Sequence, residues 1–336
     1  MRPTLHPALV NGRFGDPALF VQALHRPEAL LFDLGDLAPL SARDLLRVRH
    51  VFVSHMHMDH FIGFDQLLRV NIGRDKQISM VGPAGFAAAV GHKLQAYSWD
   101  LVDRYATDLI IDAFEVIRPD EIHGVRYRFK SAFVDEGLAA PAFDPGPVIR
   151  WPDFLLHIAI LEHHGPSLGF AVEEPLHVNV WKNRLDACGL TPGNWLQTLK
   201  RAIRDNAPDD TSIPIAGGSS RPLGELRDLI SIERGQKIAY VTDVGDTAAN
   251  RSAIQALAND ADTFFIEASF SAADRQQAAQ RAHLTTTAAG EIARSANARR
   301  VEPFHFSPRY RGQEEQMMEE VRRAFDQEQE PAKAGS

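Results

Sequence analysis

The chain has 336 residues, 44% of them hydrophobic and 24% charged, a composition typical of a globular protein with a substantial core. Its net charge of −8 argues against a protein that coats itself in nucleic acid, and its single cysteine, Cys188, excludes an intrachain disulfide. No apolar run approaches the roughly 20 residues that span a bilayer, and the first residues lack the apolar segment of a signal peptide, so we expect a cytoplasmic protein with no membrane partner.

The first half of the chain is rich in short apolar runs that predict β-strands. In chain order they are "ALFVQAL", "EALLFDLGD", "RHVFVSH", "QISMVGPAGF", "TDLIIDAFEVI" and "HGVRYRFKSAF". The first two are joined by "HRP", which predicts a hairpin, and the fourth runs into a predicted helix, "GFAAAVGHKLQAY". A Pro-rich loop, "APAFDPGPVIRWP", precedes two more strands, "FLLHIAILEH" and "LGFAVEE".

From Lys237 onward, predicted strands alternate with predicted helices. The strands are "KIAYVTD", "DTFFIEASF" and "RRVEPFHF", and the helical segments are "AANRSAIQALAND", "AADRQQAAQRAHLTTTAAGEIARSAN" and "EEQMMEEVRRAFDQ". A chain that is rich in strands in its first half and alternates strands and helices at its end is typical of mixed sheets flanked by helices. We expect a single domain over residues 1–336, with an excursion from the sheet at about 171–236 and a frayed tail at 327–336.

Four metal-capable side chains crowd the stretch "VFVSHMHMDHFIGF". His55 and His57 are two residues apart, so on an extended segment they point the same way, while Asp59 and His60 follow where a helix begins. A strand end that turns into a helix can aim the first pair at one centre and the second pair at a neighbouring one. Neutral imidazole and carboxylate suit Zn²⁺ and similar divalent ions, so this stretch predicts a metal site.

The segment "HMHMDH" resembles the signature of the metallo-β-lactamase fold, and three later segments resemble its ribonuclease Z branch. That resemblance implies an αββα sandwich of two mixed sheets flanked by helices, with further ligands at strand ends. "LEHHGPSLGF" supplies His163, with His164 as the alternative. "IAYVTDVGDT" supplies Asp243 directly after a strand, with Asp246 as the alternative, and "VEPFHFSPRY" supplies His305.

The resemblance implies two divalent metal ions, most simply Zn²⁺, with Mn²⁺ or Fe as alternatives. The ligands implied for the first ion are His55, His57 and His163, those for the second are Asp59, His60 and His305, and Asp243 lies between the ions. Two such ions about 3.5–4 Å apart can generate hydroxide at neutral pH and clamp a phosphoryl oxygen. The expected enzyme is therefore a metallo-hydrolase, specifically a phosphodiesterase.

Further segments resemble the catalytic elements of ribonuclease Z. "DTFFIEASF" keeps the glutamate of its H-E-A-T segment as Glu267, and "RAHLTTTAAGEIA" places His283 where the family has a histidine that protonates the departing 3′-oxygen. The glutamate orients that histidine. Arg309, in "SPRY", is expected to hold the substrate phosphate, with a plain salt bridge as the alternative. Asp59 is expected to hydrogen-bond the attacking hydroxide in addition to its ligand role.

The 171–236 excursion occupies the place of the arm with which ribonuclease Z binds tRNA. "GLTPGNW" keeps part of a Gly/Pro-rich arm motif, and the basic residues nearby are Lys182, Arg184, Lys200, Arg201 and Arg204. Those residues could grip RNA backbone or could form a merely solvated helix face. The chain lacks the glycine-rich opening of the family, and "FDLGDLAPL" replaces its usual D-C-G-E-G segment.

Three classes of function follow from these observations. The first is a binuclear zinc endoribonuclease that cleaves the 3′ extension of precursor tRNA, acting as a homodimer as its relatives usually do. The second is a hydrolase with the same site but a small phosphodiester, cyclic nucleotide or ester as substrate and no tRNA role. The third is a metal-holding sensor without turnover, which Glu267 and His283 argue against because a scaffold needs no proton donor.

Overall fold

The computed structural model describes residues 4–24, 26–143, 148–151, 153–215 and 218–327. These residues divide into two compact units. The smaller is chiefly Glu173–Gln236, and the larger holds the residues up to Trp151 together with Leu156–Val172 and those from Lys237 on. The smaller unit begins and ends close to the segment 171–236 that the sequence sets apart, and the single-domain description stays a prediction. Apart from Gln327, the predicted frayed tail lies outside the described residues.

The first sheet of the larger unit has eight strands in sequential order. They are β1 (Leu5–Leu9), β2 (Leu19–Ala23), β3 (Ala29–Phe32), β4 (Val48–Phe52), β5 (Lys76–Pro83), β6 (Leu109–Arg118), β7 (Glu121–Arg128) and β8 (Asp135–Leu138). Strands β3 to β6 run parallel, and the outer pairs are antiparallel hairpins, including the predicted β2–β3 hairpin. The helices of this half are α1 (Ala42–Arg47), α2 (Phe64–Asn71) and α3 (Phe86–Gln95).

The second sheet has six strands in the order β18-β17-β16-β11-β10-β9. Their bounds are β9 (Val148–Arg150), β10 (Leu155–Glu162), β11 (Pro166–Glu173), β16 (Lys237–Val241), β17 (Thr263–Glu267) and β18 (Val301–Phe304). Strands β16, β17 and β18 are parallel, so their carboxyl ends meet at one edge of the sheet. The helices of this half are α7 (Ala248–Ala258), α8 (Arg275–Gln280), α9 (Thr286–Ser295) and α10 (Glu314–Asp326).

The two sheets pack face to face through buried aromatic rings. Phe32 of the first sheet lies 5.4 Å from Tyr240 and 6.3 Å from Phe170 of the second, measured between ring centroids. A second apolar cluster joins the outer face of the first sheet to α1, α2 and α3, and a third joins the second sheet to α7, α9 and α10. The predicted αββα sandwich is therefore confirmed.

The smaller unit has an apolar core of its own. Its strands are β12 (His177–Val180), β13 (Ser212–Pro214), β14 (Ser220–Pro222) and β15 (Ile230–Glu233), and its helices are α4 (Lys182–Ala187), α5 (Trp195–Arg204) and α6 (Leu223–Leu226). β12 pairs antiparallel with β15, and β13 with β14. Helix α5 buries Trp195, Leu199 and Ile203 in this core and leaves its basic residues on the other faces.

Several local predictions need correction. The predicted loop "APAFDPGPVIRWP" contains the strand β9, and the sequence patterns do not predict β1 or α1. The long helical segment after β17 is interrupted at 281–285, because Ala282 adopts a left-handed backbone (φ 51°) and Thr285 starts a new helix by accepting a hydrogen bond from the Ala288 N–H. Among the described residues no helix has the length and apolar character needed to cross a membrane.

Candidate metal centre

The histidine-rich stretch lies at the carboxyl end of β4. After β4 the backbone is extended at His57, makes a single 3₁₀ turn over Met58–His60 and then enters α2. Gly63 makes this path feasible, because a Cβ there would collide with the carbonyl oxygen of Gly35. The turn places His55 and His57 ahead of it and Asp59 and His60 within it.

The structure brings the metal-capable side chains into overlapping groups. Within each group, one ligand atom per residue lies within 4.8 Å of the others. The groups are His55, His57, His163 and Asp243; Asp59, His60 and His305; and Asp243, His283 and His305. The first two groups contain the same residues that the sequence assigns to the two ions.

Asp243 contacts residues of both groups. Its Oδ2 lies 3.5 Å from His60 Nε2, 3.7 Å from His55 Nε2 and 3.8 Å from His163 Nε2, and its Oδ1 lies 2.8 Å from His305 Nδ1. Asp246 instead pairs with Arg251, whose Nη2 lies 3.0 Å from Asp246 Oδ2. Of the two aspartates that the sequence offered, the geometry favours Asp243 as the shared ligand.

Three imidazoles are held by Nδ1 and direct Nε2 towards Asp243. His55 Nδ1 lies 3.1 Å from Ser54 Oγ, His60 Nδ1 lies 2.9 Å from Asp33 Oδ2, and His163 Nδ1 lies 2.8 Å from the Ala282 carbonyl oxygen. The Nε2 atoms of His55 and His60 are buried and have no hydrogen-bond partner among the residues that the structure describes. Buried polar atoms normally have a partner, so these two nitrogens fit a site that holds a cation.

His163 and His164 differ in their surroundings. His163 lies between β10 and β11, and its side chain is 4% exposed. His164 is exposed and belongs to none of the groups found among the described residues. The geometry therefore favours His163 as the ligand in this segment.

The histidines of the site fall into two classes, one with a lowered pKa and one with a raised pKa. Burial lowers the pKa of His55 to about 3, with His60 adding to the effect, and burial also lowers the pKa of His163. Burial alone would lower the pKa of His60, but Asp243 and Asp33 outweigh it and raise that pKa to about 10. Asp243 likewise raises the pKa of His305. A bound cation would replace the protons that balance Asp243, because metal ligands must be deprotonated.

Glu267 and His283 form a buried pair beside these groups. Glu267 ends β17, is fully buried, and places both carboxylate oxygens 3.1 Å from His283 Nδ1. It is fixed by the Val244 N–H at 2.8 Å and the Ser269 hydroxyl at 2.7 Å. Burial lowers the pKa of His283, but Glu267 outweighs burial and raises it. The carboxylate thus favours the protonated imidazole, the form that can act as a general acid.

Known proteins resemble this chain over most of its length. No family model matches the chain. The ribonuclease Z of Deinococcus radiodurans is 33% identical over 289 residues, 84% of this chain and 83% of that protein. The ribonuclease Z of Geobacillus kaustophilus is 30% identical over 283 residues, 83% of this chain and 77% of that protein. The chain belongs to the ribonuclease Z family.

Solved structures show the same fold. The metallo-β-lactamase fold protein YhfI of Bacillus subtilis aligns with a TM-score of 0.53 at 13% identity, over 95% of this chain and 92% of that one. The short form of human tRNase Z aligns with a TM-score of 0.50 at 18% identity, over 92% of both chains. Membership of the ribonuclease Z family implies a hydrolase that binds divalent metal ions, and the His and Asp groups above are suited to hold them.

Asp33 lies directly behind the candidate ligand His60, and the sequence motifs do not single it out. It follows β3, is fully buried and has a left-handed backbone (φ 54°). Its Oδ1 accepts from the Ser54 N–H at 2.6 Å, and its Oδ2 is 2.9 Å from Ser54 Oγ, 2.9 Å from His60 Nδ1 and 2.8 Å from the Tyr240 hydroxyl. Asp33 therefore fixes the ring of His60 from behind. The signal in the sequence is an aspartate directly after a buried strand, at the start of the segment "DLGD".

Asp33, Asp243 and His305 share an unusual backbone. Each directly follows, or nearly follows, a strand and has a positive φ, of 54°, 41° and 57° respectively. Residues other than glycine seldom adopt this region, and those that do concentrate at functional sites. The left-handed turn redirects the chain at each strand end. Asp33 then reaches His60 from the Nδ1 side, while Asp243 lies near His60 Nε2 and His305 Nδ1.

Arg309 packs on Phe270, a residue that lines the cavity of Asp59 and His305. Its guanidinium lies 5.3 Å from the ring centroid of Phe270 and 5.9 Å from that of Tyr310, and it donates to Gln277 Oε1. No ion pair involves it among the described residues, so the structure does not show the plain salt bridge that was its alternative. The phosphate-binding role remains a prediction.

Proposed function

We propose that this chain is a binuclear metal-dependent endoribonuclease that cleaves the 3′ extension of precursor tRNA. The observation that carries the proposal is the pair of metal-capable groups that share Asp243, with the Glu267–His283 pair beside them. The relatives reported above are named ribonuclease Z, and the same arrangement of side chains is what phosphodiester cleavage needs: metal ligands, a proton donor and a residue that orients it.

The residues fit two ions of the divalent class. His55, His57 and His163 would hold one, Asp59, His60 and His305 the other, and Asp243 would lie between them. The donor set is imidazole and carboxylate without thiolate, so Zn²⁺ is the simplest occupant, with Mn²⁺ or Fe as alternatives. When bound, the ions would supply Lewis acidity that activates water near neutral pH and balances the charge of a phosphoryl group.

The protein side chains supply the remaining chemistry. Imidazolium His283 donates its proton to the departing 3′-oxygen, because P–O cleavage expels an alkoxide. Glu267 holds the ring from Nδ1, which leaves Nε2 to face the substrate. Asp59, whose side chain is 44% exposed at the mouth of the site, accepts a hydrogen bond from the attacking water in addition to its ligand role. Arg309 holds the phosphate of the substrate.

The smaller unit is proposed as the arm that binds tRNA. Lys200, Arg201 and Arg204 lie on faces of α5 that do not enter its core, and Arg201 and Arg204 are exposed. Upstream, the guanidinium of Arg184 lies 5.6 Å from the ring centroid of Trp181, which is 47% exposed. Basic residues and an exposed aromatic ring are the groups that contact RNA backbone and bases.

A homodimer and a cytoplasmic location are further parts of this proposal. Sedimentation of the purified protein tests the dimer. The alternative of a small phosphodiester or ester substrate without a tRNA role is not favoured, because the relatives reported above are named ribonuclease Z.

One experiment tests the activity. Purified protein of known metal content is incubated with 3′-extended tRNA and, separately, with bis(p-nitrophenyl) phosphate. We expect a single endonucleolytic cut at the 3′ side of the tRNA, lost on chelation and restored by Zn²⁺. Hydrolysis of the chromogenic ester without any cleavage of the tRNA would contradict the proposal and support a small-substrate hydrolase.

A further inference from the structure

Two cavities share His283 in their walls. The first has a volume of about 420 Å³, includes His163 in its wall, and is bordered by the start of α8 and the loop after β16. The second has a volume of about 230 Å³ and includes Asp59 and His305. Because His283 lines both, a ligand bound at the candidate proton donor has a cavity next to it that contains His163 and another that contains Asp59 and His305.

Each cavity has one arginine in its wall. Arg275, the first residue of α8, lines the cavity of His163, and Arg281, just after the end of α8, lines the cavity of His305. Both side chains are exposed, and neither has an ion pair or a side-chain hydrogen bond within the described parts of the chain. Arg251, near the first cavity, is by contrast tied to Asp246 and Glu291.

We infer that the two cavities are subsites for the nucleotides on either side of the scissile phosphate, and that Arg275 and Arg281 bind the two flanking phosphates. The inference rests on the proposed function and deepens it. A free guanidinium is a strong phosphate ligand, since its N–H donors match two phosphate oxygens at once. Exposed arginines are common on protein surfaces, but these two stand in the cavities that contain the metal-capable and proton-donating side chains.

The cavities also contain carboxylates that a phosphate would meet. Glu162 is exposed in the wall of the first cavity, and Asp16 lies in the wall of the second. Asp246, also in the first, is already balanced by Arg251. If phosphates pass through both cavities, removing the charge of Glu162 or Asp16 should strengthen binding. The inference therefore predicts effects of opposite sign from residues in the same cavity.

The test uses the full-length, metal-loaded protein and 3′-extended tRNA over a range of salt concentrations. Arg275→Ala and Arg281→Ala should each raise KM about tenfold with kcat little changed, because contacts to flanking phosphates hold the substrate rather than the reacting atoms. Each should make the dependence of log KM on log salt shallower by about 0.7, the contribution of one single-strand phosphate. Arg275→Lys and Arg281→Lys should keep the salt dependence, while Glu162→Gln and Asp16→Asn should lower KM.

Arg43→Ala is the matched control. Arg43 is an exposed arginine of α1, outside both cavities. Metal content is measured for every variant, and an alanine variant that loses metal is replaced in the comparison by a glutamine variant at the same position. Alanine or glutamine variants of Arg275 and Arg281 whose KM and salt dependence match those of Arg43→Ala would overturn the inference alone. A wild-type protein that does not cleave the tRNA would overturn the proposed function and the inference with it.

Discussion

The candidate metal centre and the smaller unit present their candidate functional residues in different ways. In the metal centre, His55, His60 and Asp243 are buried, and hydrogen bonds fix the rings from behind. In the smaller unit the candidate residues, such as Arg201 and Arg204, are exposed charges on one helix. Ligating a cation requires atoms placed to within tenths of an ångström, whereas holding an RNA backbone requires mainly charge. The same contrast explains why ribonuclease Z motifs are clear in the larger unit and loose in the smaller.

The largest effect should come from the ligands. His163→Ala should abolish activity and lower the metal content, because His163 Nε2 points towards Asp243 within the first group. His164→Ala is the matched control, since His164 is the adjacent, exposed histidine, and it should keep both metal and activity. Plasma mass spectrometry and tRNA cleavage measure the two quantities. If His164→Ala lost metal and activity while His163→Ala kept both, His164 would be the ligand instead of His163.

His283→Ala should leave the metals bound and slow turnover by about 10²–10⁴-fold, the usual contribution of a general acid. The reason is that Glu267 engages His283 through Nδ1, and the ligands proposed for the two ions come from the first two groups, which do not contain His283. Single-turnover cleavage of 3′-extended tRNA and metal analysis of the same sample measure the effect. Wild-type rates in this variant would end the proposed role.

The charged face of α5 should have a smaller, substrate-specific effect. Replacing Lys200, Arg201 and Arg204 together by alanine should raise KM for tRNA about 10- to 100-fold and leave hydrolysis of bis(p-nitrophenyl) phosphate unchanged. Gln197→Ala, at an exposed uncharged position of the same helix, is the control. Surface substitutions are preferable to deletion of 182–204, which would remove the core residues Leu199 and Trp195. Equal loss with both substrates would mean that the helix is structural.

Tyr240→Phe should weaken metal affinity about tenfold. Substitution of a residue that supports a metal ligand through hydrogen bonds typically costs about 10- to 100-fold in affinity, and this variant should fall at the lower end. The variant removes one of the hydrogen bonds to Asp33 that hold His60, while the buried ring still fills the space between the sheets. Competition with a chelating dye measures the affinity. Tyr97→Phe, at an exposed tyrosine outside the site, should bind metal like the wild type. An unchanged affinity in Tyr240→Phe would show that Ser54 and Asp33 suffice to fix the ring.

Glu267→Gln should change the pH profile. Glu267 raises the pKa of His283, so the acid form persists to higher pH and activity is lost as pH rises through that pKa. Without the carboxylate charge the pKa falls, and the basic limb of the kcat profile should move to lower pH. Profiles of wild type and variant at saturating tRNA measure this shift. A basic limb at the same pH in wild type and variant would contradict the claim that Glu267 sets the pKa of the proton donor.

Local sequence patterns locate those candidate metal ligands that come just after a strand along the chain. His55, Asp243 and His305 each come directly or shortly after an apolar run, so a motif of a few residues locates them. Asp33 and Tyr240 are different, because 207 residues separate them and only the packing of the two sheets brings them together. A sequence read locally offers no signal for that contact.

The fold shows the same division. Apolar runs predict most strands of the two large sheets. In the smaller unit, β12 and β15 are short and pair across the whole of that unit, and neither is predicted. Arg275 and Arg281 fall in a segment that the sequence predicts as helical, and the structure places them, together with His283 beyond the break at Ala282, in the walls of cavities beside the candidate ligands. The sequence patterns do not predict which residues far apart in the chain come together in the fold.

The central claim is that two adjacent cations are held by one set of side chains shared through Asp243. The most direct measurement is the metal stoichiometry of purified wild type and Asp243→Asn by plasma mass spectrometry. We expect two divalent ions per chain in the wild type and a loss of both affinity and stoichiometry in the variant, with cleavage of 3′-extended tRNA lost in parallel. A wild-type protein that binds fewer than two ions when active, or a variant that retains both, would contradict the account.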